Sequence, residues 1–117
     1  AHMLGLTKEG VVLSYGSQSF SRLGRDGEGP QFLPVKGLLE GKVVKHIACG
    51  HQHNVVATEN EVYSWGRNNY TQCGIYNMWN TDEVKVPTPV KEITGNVMQV
   101  VCGPRHVAVL SSLGVHV

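Results

Sequence analysis

The chain has 117 residues, of which 41% are hydrophobic, and its 10 Lys and Arg against 9 Asp and Glu give a formal net charge of +1. Because these charges are mixed along the sequence, it offers no clustered basic surface for nucleic acid or an anionic membrane, and no apolar run approaches a membrane span. Three cysteines cannot form a closed disulfide set and no signal peptide is recognisable, so a reducing cytoplasmic or nuclear compartment is predicted.

The predicted elements are short β-strands that follow residues 1–3. Those three residues read Ala-His-Met and are interpreted as a vector scar outside the fold. Stretches rich in β-branched residues then alternate with turns of Gly, Asn and charged residues, without a sustained helical stripe. The predicted strands, in chain order, are residues 11–15, 34–38, 43–49, 54–58, 61–65, 89–93, 97–102 and 106–110. A tight turn at 58–61 joins the fourth of these strands to the fifth.

The sequence repeats itself with a period of about 50 residues. Two aligned pairs of segments carry the repeat: residues 14–24 with 64–74, and residues 47–58 with 100–111. The second copy is longer in the loop between Gly74 and Pro89, where it carries Tyr76, Met78, Trp79, Asp82 and Glu83. Four short strands in each unit of about 50 residues are typical of a β-propeller blade.

These repeats resemble the regulator of chromosome condensation (RCC1) repeat family. The motifs that carry the resemblance are Val62-Tyr63-Ser64-Trp65-Gly66-Arg67-Asn68 with Gln72-Cys73-Gly74, Pro89-Val90, and Cys49-Gly50 followed by His53. The resemblance implies an all-β fold of two four-stranded antiparallel blades from a seven-bladed β-propeller. The implied organisation is the end of a preceding blade at 4–9, a first repeat at 10–60, a second at 61–113 and the start of a third at 114–117.

Several residues at repeated positions are interpreted as structural. Glycines at the ends of strands permit a positive φ or a close approach of the backbone, and an aromatic residue before such a glycine packs between blades. The positions are Gly16, Gly66, Gly24, Gly74, Cys49, Cys102, Gly50, Gly103, His53, His106 and Trp65.

A metal site and a catalytic site are not predicted. The residues of metal-ligand type are Cys49, His51, His53, Cys73, Cys102 and His106. They lack the paired Cys-x-x-Cys or His-x-x-x-His spacing of a structural zinc site, and their repetition favours roles in packing and in hydrogen bonds to the backbone. Because no nucleophile is tied to a base and an orienting acid, the chain is predicted not to be an enzyme and to need no cofactor.

The partner-binding candidates lie in polar loops. Trp79 has no counterpart in the first copy, so it either anchors a partner or folds back onto its own blade. The other candidates are Arg67, Asn68, Asn69 and Tyr70 after one strand, with His51 and His53 at positions of the type that the family's exchange factor uses.

The function that the resemblance implies is a protein-interaction scaffold, with regulation of a small GTPase among the roles of the family. Guanine-nucleotide exchange on a Ran-like GTPase and a chromatin-associated binding module are the alternatives. Blades without neighbours expose apolar faces, so self-association through those faces or marginal stability is also predicted. The partners expected are thus a protein, which includes a small GTPase, and a second copy of the chain, but neither a membrane nor nucleic acid.

Overall fold

The computed structural model describes residues 2–16, 23–24, 29–35, 37–69, 72–75 and 81–116. Its strands are β1 His2–Leu6, β2 Val12–Gly16, β3 Gly29–Pro34, β4 His46–Cys49, β5 His53–Ala57, β6 Val62–Arg67, β7 Glu83–Pro89, β8 Val97–Cys102, β9 Val107–Ser111 and β10 Gly114–His116. A short 3₁₀ helix, Gly37–Leu39, lies between β3 and β4. A helix with the length and apolarity needed to cross a bilayer does not occur in the described part of the chain.

The strands form three antiparallel sheets. Strands β1, β2 and β3 make the N-terminal sheet, β4 to β7 make the central sheet in that order, and β8, β9 and β10 make the C-terminal sheet. All the pairings between neighbouring strands are antiparallel. The all-β antiparallel class predicted from the sequence is therefore confirmed.

The grouping of strands differs from the expected one of two four-stranded sheets. The turn at 58–61 closes with a hydrogen bond of 2.9 Å from the Thr58 amide to the Glu61 carbonyl, and Ala57 pairs with Val62 just beyond it. Because this hairpin holds β5 and β6 in one ladder, the central sheet joins the last two strands of one sequence repeat to the first two of the next. The described strands are thus grouped three, four and three.

The outer strands of the first two sheets lie earlier in the sequence than predicted. The expected strands at 34–38 and 89–93 begin at prolines, whereas β3 ends at Pro34 and β7 ends at Pro89. Proline has no N–H to donate to a ladder and is tolerated on edge strands. The two prolines therefore mark the ends of edge strands and not their beginnings.

The first strand includes residues that the sequence analysis places outside the fold. His2 pairs with Gly16 in the N-terminal sheet, as His53 pairs with Gly66 in the central sheet. The His2 Nε2 atom lies 2.8 Å from Asn54 Oδ1 of the central sheet. His2 therefore takes the same place in its sheet as the repeated histidine.

The core consists of two apolar layers on either side of the central sheet. Strand β5 is buried along its whole length: Val56 faces the N-terminal sheet, and Val55 and Ala57 face the C-terminal sheet. The first layer contains Val12, Val35, Leu39, Val44, Val56, Tyr63, Trp65, Cys73 and Val84. The second contains Val55, Ala57, Val62, Val90, Val97, Val100, Val107 and Val109. Because each fully buried valine contributes about 1.5–3 kcal/mol, stacking of the sheets stabilises the structure.

Two outer sheet faces expose apolar side chains. On the C-terminal sheet, Val101, Leu110 and Val115 are exposed, while their strand neighbours pack on the central sheet. On the N-terminal sheet, Tyr15 stacks on exposed Phe32 with ring centroids 5.0 Å apart. Tyr15 aligns with Trp65, which is buried between the central and N-terminal sheets. The outer face of the N-terminal sheet therefore corresponds to the face of the central sheet that the N-terminal sheet covers.

Candidate functional site

The repeated glycine and histidine of the Cys-Gly motifs pack directly on each other. A Cβ atom added to Gly50 would lie 2.7 Å from Nδ1 of His53 and 2.6 Å from the Gly103 carbonyl oxygen. A Cβ atom on Gly103 would lie 2.8 Å from Nδ1 of His106. As the sequence predicts, another group lies close to each of these glycines, and this group is the imidazole ring of the histidine three residues later.

His53 links the central sheet to the C-terminal sheet. Its Nε2 atom lies 3.0 Å from the His106 carbonyl oxygen, so Nε2 carries the proton and donates it. The side chain is 0% exposed, and no hydrogen-bond partner of Nδ1 occurs among the described residues. Burial lowers the pKa of His53, although the bond to the His106 carbonyl acts in the opposite direction. His53 is therefore a neutral interior residue and does not reach a partner.

The lowered pKa of His53 predicts an acid-sensitive fold. The unfolded chain binds a proton on this residue near pH 6.5, while the folded chain resists protonation, so the free energy of unfolding should fall as the pH drops through and below 6.5. Denaturation at several pH values measures this dependence. In a His53→Gln variant, the free energy of unfolding should depend less steeply on pH between about pH 5 and 7, the range around the ordinary histidine pKa of about 6.5. An unchanged slope would contradict this account.

The loop after β6 is built by internal hydrogen bonds. The Asn68 side chain is 1% exposed, and its Oδ1 atom accepts a hydrogen bond of 3.1 Å from the Cys73 amide. Ser64 Oγ donates to the Cys73 carbonyl at 2.7 Å, as Ser14 Oγ donates to the Leu23 carbonyl at 2.9 Å in the N-terminal sheet. Asn68 therefore shapes the loop from the inside and does not face a partner.

A polar cleft of about 230 Å³ lies where three loops of two sheets meet. The loop between β4 and β5, the segment after β6 and the loop between β8 and β9 form its walls. The lining residues are His51, Gln52, Arg67, Asn69, Gln72, Pro104 and Arg105. Because the first two loops belong to the central sheet and the third to the C-terminal sheet, the cleft exists only when the two sheets stack.

Arg67 is fixed on the wall of this cleft. Its Nη1 atom donates to Gln52 Oε1 at 2.7 Å, and its backbone amide donates to the Gln52 carbonyl at 2.8 Å. Gln72 Nε2 lies 3.5 Å from Asn69 Oδ1 on the same side. These bonds hold a guanidinium group and several amide groups at the mouth of a concave surface.

The structure brings together three of the partner-binding candidates and separates the others. His51, Arg67 and Asn69 line the cleft, whereas His53 and Asn68 are interior. Tyr70 and Trp79 lie outside the described residues. Sequence reasoning missed Gln52, Gln72, Pro104 and Arg105 as cleft residues. The available signal was the repeat alignment, which places Arg105 at the position of Gln52, between the repeated glycine and histidine.

The cysteines differ in their surroundings. Within the described ranges, His, Cys, Asp and Glu side chains do not form a group of three that could hold a metal ion. Burial raises the pKa of the Cys73 thiol to about 12, and burial together with nearby Cys49 raises the pKa of the Cys102 thiol to about 12. Cys49 itself is exposed.

These differences predict the order in which the thiols react, because the thiolate is the reactive form and must be accessible. At neutral pH, Cys49 should be labelled first by iodoacetamide, with Cys73 and Cys102 protected until the chain unfolds. Peptide mass spectrometry over a labelling time course measures this order. Labelling of Cys73 at the rate of Cys49 would show that the core between the sheets is open.

The stacked antiparallel sheets and the shared loop edge define a segment of a β-propeller built from sequence repeats. The chain belongs to the family of the "Regulator of chromosome condensation (RCC1) repeat", whose family model matches residues 9–57 and 59–110. A second model with the same description matches residues 44–72.

Relatives with different names share these repeats. The chain is 35% identical to the Ultraviolet-B receptor UVR8 of Arabidopsis thaliana over 97% of its own length and 26% of the receptor. It is 34% identical to the probable E3 ubiquitin-protein ligase HERC4 of Mus musculus over 91% of its length and 10% of the ligase. Among solved structures it is similar to Prp20p of Saccharomyces cerevisiae, with a TM-score of 0.76 and 23% identity over 95% of the chain and 29% of Prp20p. The chain thus spans about a quarter or less of the length of these two curated relatives.

Proposed function

We propose that this chain is part of a propeller that serves as a protein-interaction scaffold and binds its partner at the polar cleft. The observation that carries the proposal is the convergence of three loops from two sheets on one concave surface lined by His51, Arg67 and Arg105. Loops on a rigid β scaffold commonly carry binding residues, and arginine is enriched at binding hot spots. The scaffold role requires no covalent chemistry of its own.

Site-specific photo-crosslinking tests this proposal. A photoreactive benzophenone amino acid in place of exposed His51 should capture a partner that the same group in place of Glu59 does not capture. Glu59 is a matched control because it is exposed in the turn between β5 and β6, away from the loops that form the cleft. Equal capture from both positions, or capture from Glu59 alone, would place the partner elsewhere and reject the proposal.

The partner class within this proposal includes a small GTPase. The structurally similar yeast protein Prp20p has binding properties to Gsp1p and histones, and regulation of a GTPase is a role that the family resemblance implies. Release of a fluorescent guanine nucleotide from a panel of small GTPases distinguishes nucleotide exchange from a scaffold function. Accelerated release in the presence of the chain would establish exchange activity, and binding without acceleration would establish a scaffold. Binding to histones or nucleosomes would instead favour the chromatin-associated alternative.

We propose in addition that the chain alone self-associates through its exposed outer faces. The outer face of the C-terminal sheet corresponds by repeat to the face of the central sheet that buries Val55 and Val62, and the outer face of the N-terminal sheet corresponds to the one that buries Trp65. Two copies can therefore stack head to tail as neighbouring sheets do within the chain. Light scattering over a concentration series should show a mass that rises with concentration, and a constant monomer mass would reject this arrangement.

A cytoplasmic or nuclear location belongs to the same proposal. The chain carries three cysteines, all of which are free thiols in the structure, which fits a reducing compartment. One relative, 37% identical over 77% of the chain, is named as a mitochondrial RCC1 domain-containing protein of Arabidopsis thaliana. Imaging of a tagged full-length protein tests the location, and an organellar signal would contradict it.

A further inference from the structure

The cleft between the central and C-terminal sheets carries positive charge. None of the seven described residues that line it is acidic, and Arg67 and Arg105 contribute two guanidinium groups. Exposed His51 adds an imidazole, whose ring nitrogens can donate or accept a hydrogen bond. The amides of Gln52, Asn69 and Gln72 supply the remaining polar groups. Such a set of groups favours a ligand that carries oxygen acceptors and negative charge.

The acidic residues that the strand register places beside Arg67 do not line the cleft. Glu83 pairs with Arg67 in the register of the central sheet, and Asp82 precedes it. Both belong to the segment that begins strand β7, and neither lines the cleft. The Asp82 carbonyl accepts a hydrogen bond of 2.6 Å from the Asn68 amide, so this segment supports the backbone of the loop after β6.

The fixed orientation of the Arg67 guanidinium favours specific binding of a carboxylate over non-specific electrostatic attraction. Its bond of 2.7 Å to Gln52 holds the guanidinium in one orientation, so less side-chain freedom is lost when a ligand binds. Arginine is suited to carboxylates because its planar fork of donors matches their two oxygens. Because Arg67 belongs to the central sheet and Arg105 to a loop of the C-terminal sheet, a carboxylate that contacts both would bind only when both sheets are in place.

The volume of the cleft and the net charge of the chain favour an acidic peptide as the ligand over a small-molecule anion or nucleic acid. A cleft of about 230 Å³ is smaller than the roughly 300–1,000 Å³ of sites that enclose a small molecule, and its volume suits the side chains of a peptide laid across its mouth. Nucleic acid binding requires many phosphate contacts along a basic stripe, whereas the whole chain has a net charge of +1. Among the described residues that line the cleft, the His51 imidazole is the only ring on which a base could stack.

We infer that this cleft is a receptor for an acidic peptide segment of a protein partner, with a carboxylate of Asp or Glu bound between Arg67 and Arg105. This inference rests on the proposed scaffold function and names the chemistry of its partner.

Fluorescence anisotropy with a labelled peptide tests the inference on the full chain. The probe is a nine-residue peptide with a central Glu-Asp-Glu between Gly and Ser residues, compared with the same peptide carrying Gln-Asn-Gln. The acidic peptide should bind and the neutral one should not. Exchange of both cleft arginines, Arg67→Gln with Arg105→Gln, should weaken binding by about tenfold or more, which is about 1.4 kcal/mol.

A matched variant controls for the loss of charge. Lys45→Gln with Lys91→Gln removes two positive charges from exposed positions that do not line the cleft. Its affinity should stay within about twofold of the parent chain, because exposed charges separated from the ligand are largely screened by salt. If the double arginine variant loses its cooperative unfolding, Arg105→Gln alone serves as the test, since Arg105 is exposed.

Each other outcome overturns the inference. Equal binding of the acidic and neutral peptides, or equal weakening by the lysine and arginine variants, would exclude a carboxylate site in the cleft. Tighter binding of a phosphoserine peptide, or of a ten-nucleotide oligothymidylate, would assign the site to phosphate. Cross-linking of a partner from position 51 together with failure of the acidic peptide would retain the scaffold function and reject only this ligand.

Discussion

Replacement of Trp65 by alanine should lower the free energy of unfolding by about 3–5 kcal/mol. Trp65 is 0% exposed and lies in the apolar layer between the N-terminal and central sheets. Its indole also covers Gly24, where an added Cβ would lie 2.9 Å from Cδ1 of the ring. The truncation would therefore open a cavity and remove the contact that holds the segment at Gly24 against the next sheet.

Chemical denaturation followed by circular dichroism measures this effect. The control is Leu113→Ala, because Leu113 is 71% exposed and its truncation should change the free energy of unfolding by less than about 0.5 kcal/mol. A loss below about 1 kcal/mol for Trp65→Ala would mean that the two sheets do not stack through this residue in solution.

Replacement of Gly66 by alanine should be the second large effect, with a loss of about 3 kcal/mol or more of unfolding free energy. Gly66 has a φ of 113°, which side chains rarely adopt, and an added Cβ would lie 2.6 Å from the Gln52 carbonyl oxygen and 2.8 Å from the His53 Cα. Backbone atoms cannot move aside as a flexible side chain can. The substitution would also displace Gln52 from Arg67 and so disturb the cleft.

A second glycine separates the conformational strain from the steric contact. Gly37 has a φ of 75°, and an added Cβ there meets no atom of the described residues within 4 Å. Gly37→Ala should therefore cost only about 1 kcal/mol, from the positive φ alone. Equal losses at Gly66 and Gly37, measured by the same denaturation, would show that the close approach of the β4–β5 loop to Gly66 is absent.

The repeat alignment predicted much of this fold because equivalent residues perform equivalent tasks. Ser14 and Ser64 make the same hydrogen bond, and Gly50 and Gly103 make room for the same imidazole. The assignment of strands to sheets was harder to predict from the sequence, because a sequence repeat can be divided into units at any point along its period. The hairpin at 58–61, and not the start of the repeat, determines which strands share a ladder.

The candidate site was predictable only in part, for a related reason. Arg67, Asn69 and His51 were identifiable as polar loop residues, and they line the cleft. Arg105 comes from a loop of the next sheet, so its proximity to Arg67 depends on the stacking of sheets and not on any local pattern. The burial of Asn68 was equally hidden, because its side chain bonds to an amide five residues later in the loop.

A crystal structure of the chain with the Glu-Asp-Glu peptide tests the central claim most directly. We expect a peptide carboxylate within hydrogen-bond distance of the guanidinium groups of both Arg67 and Arg105, with the Gln52–Arg67 bond retained. A peptide bound at another surface, or an empty cleft in crystals grown with saturating peptide, would contradict the assignment of this cleft as the partner-binding site.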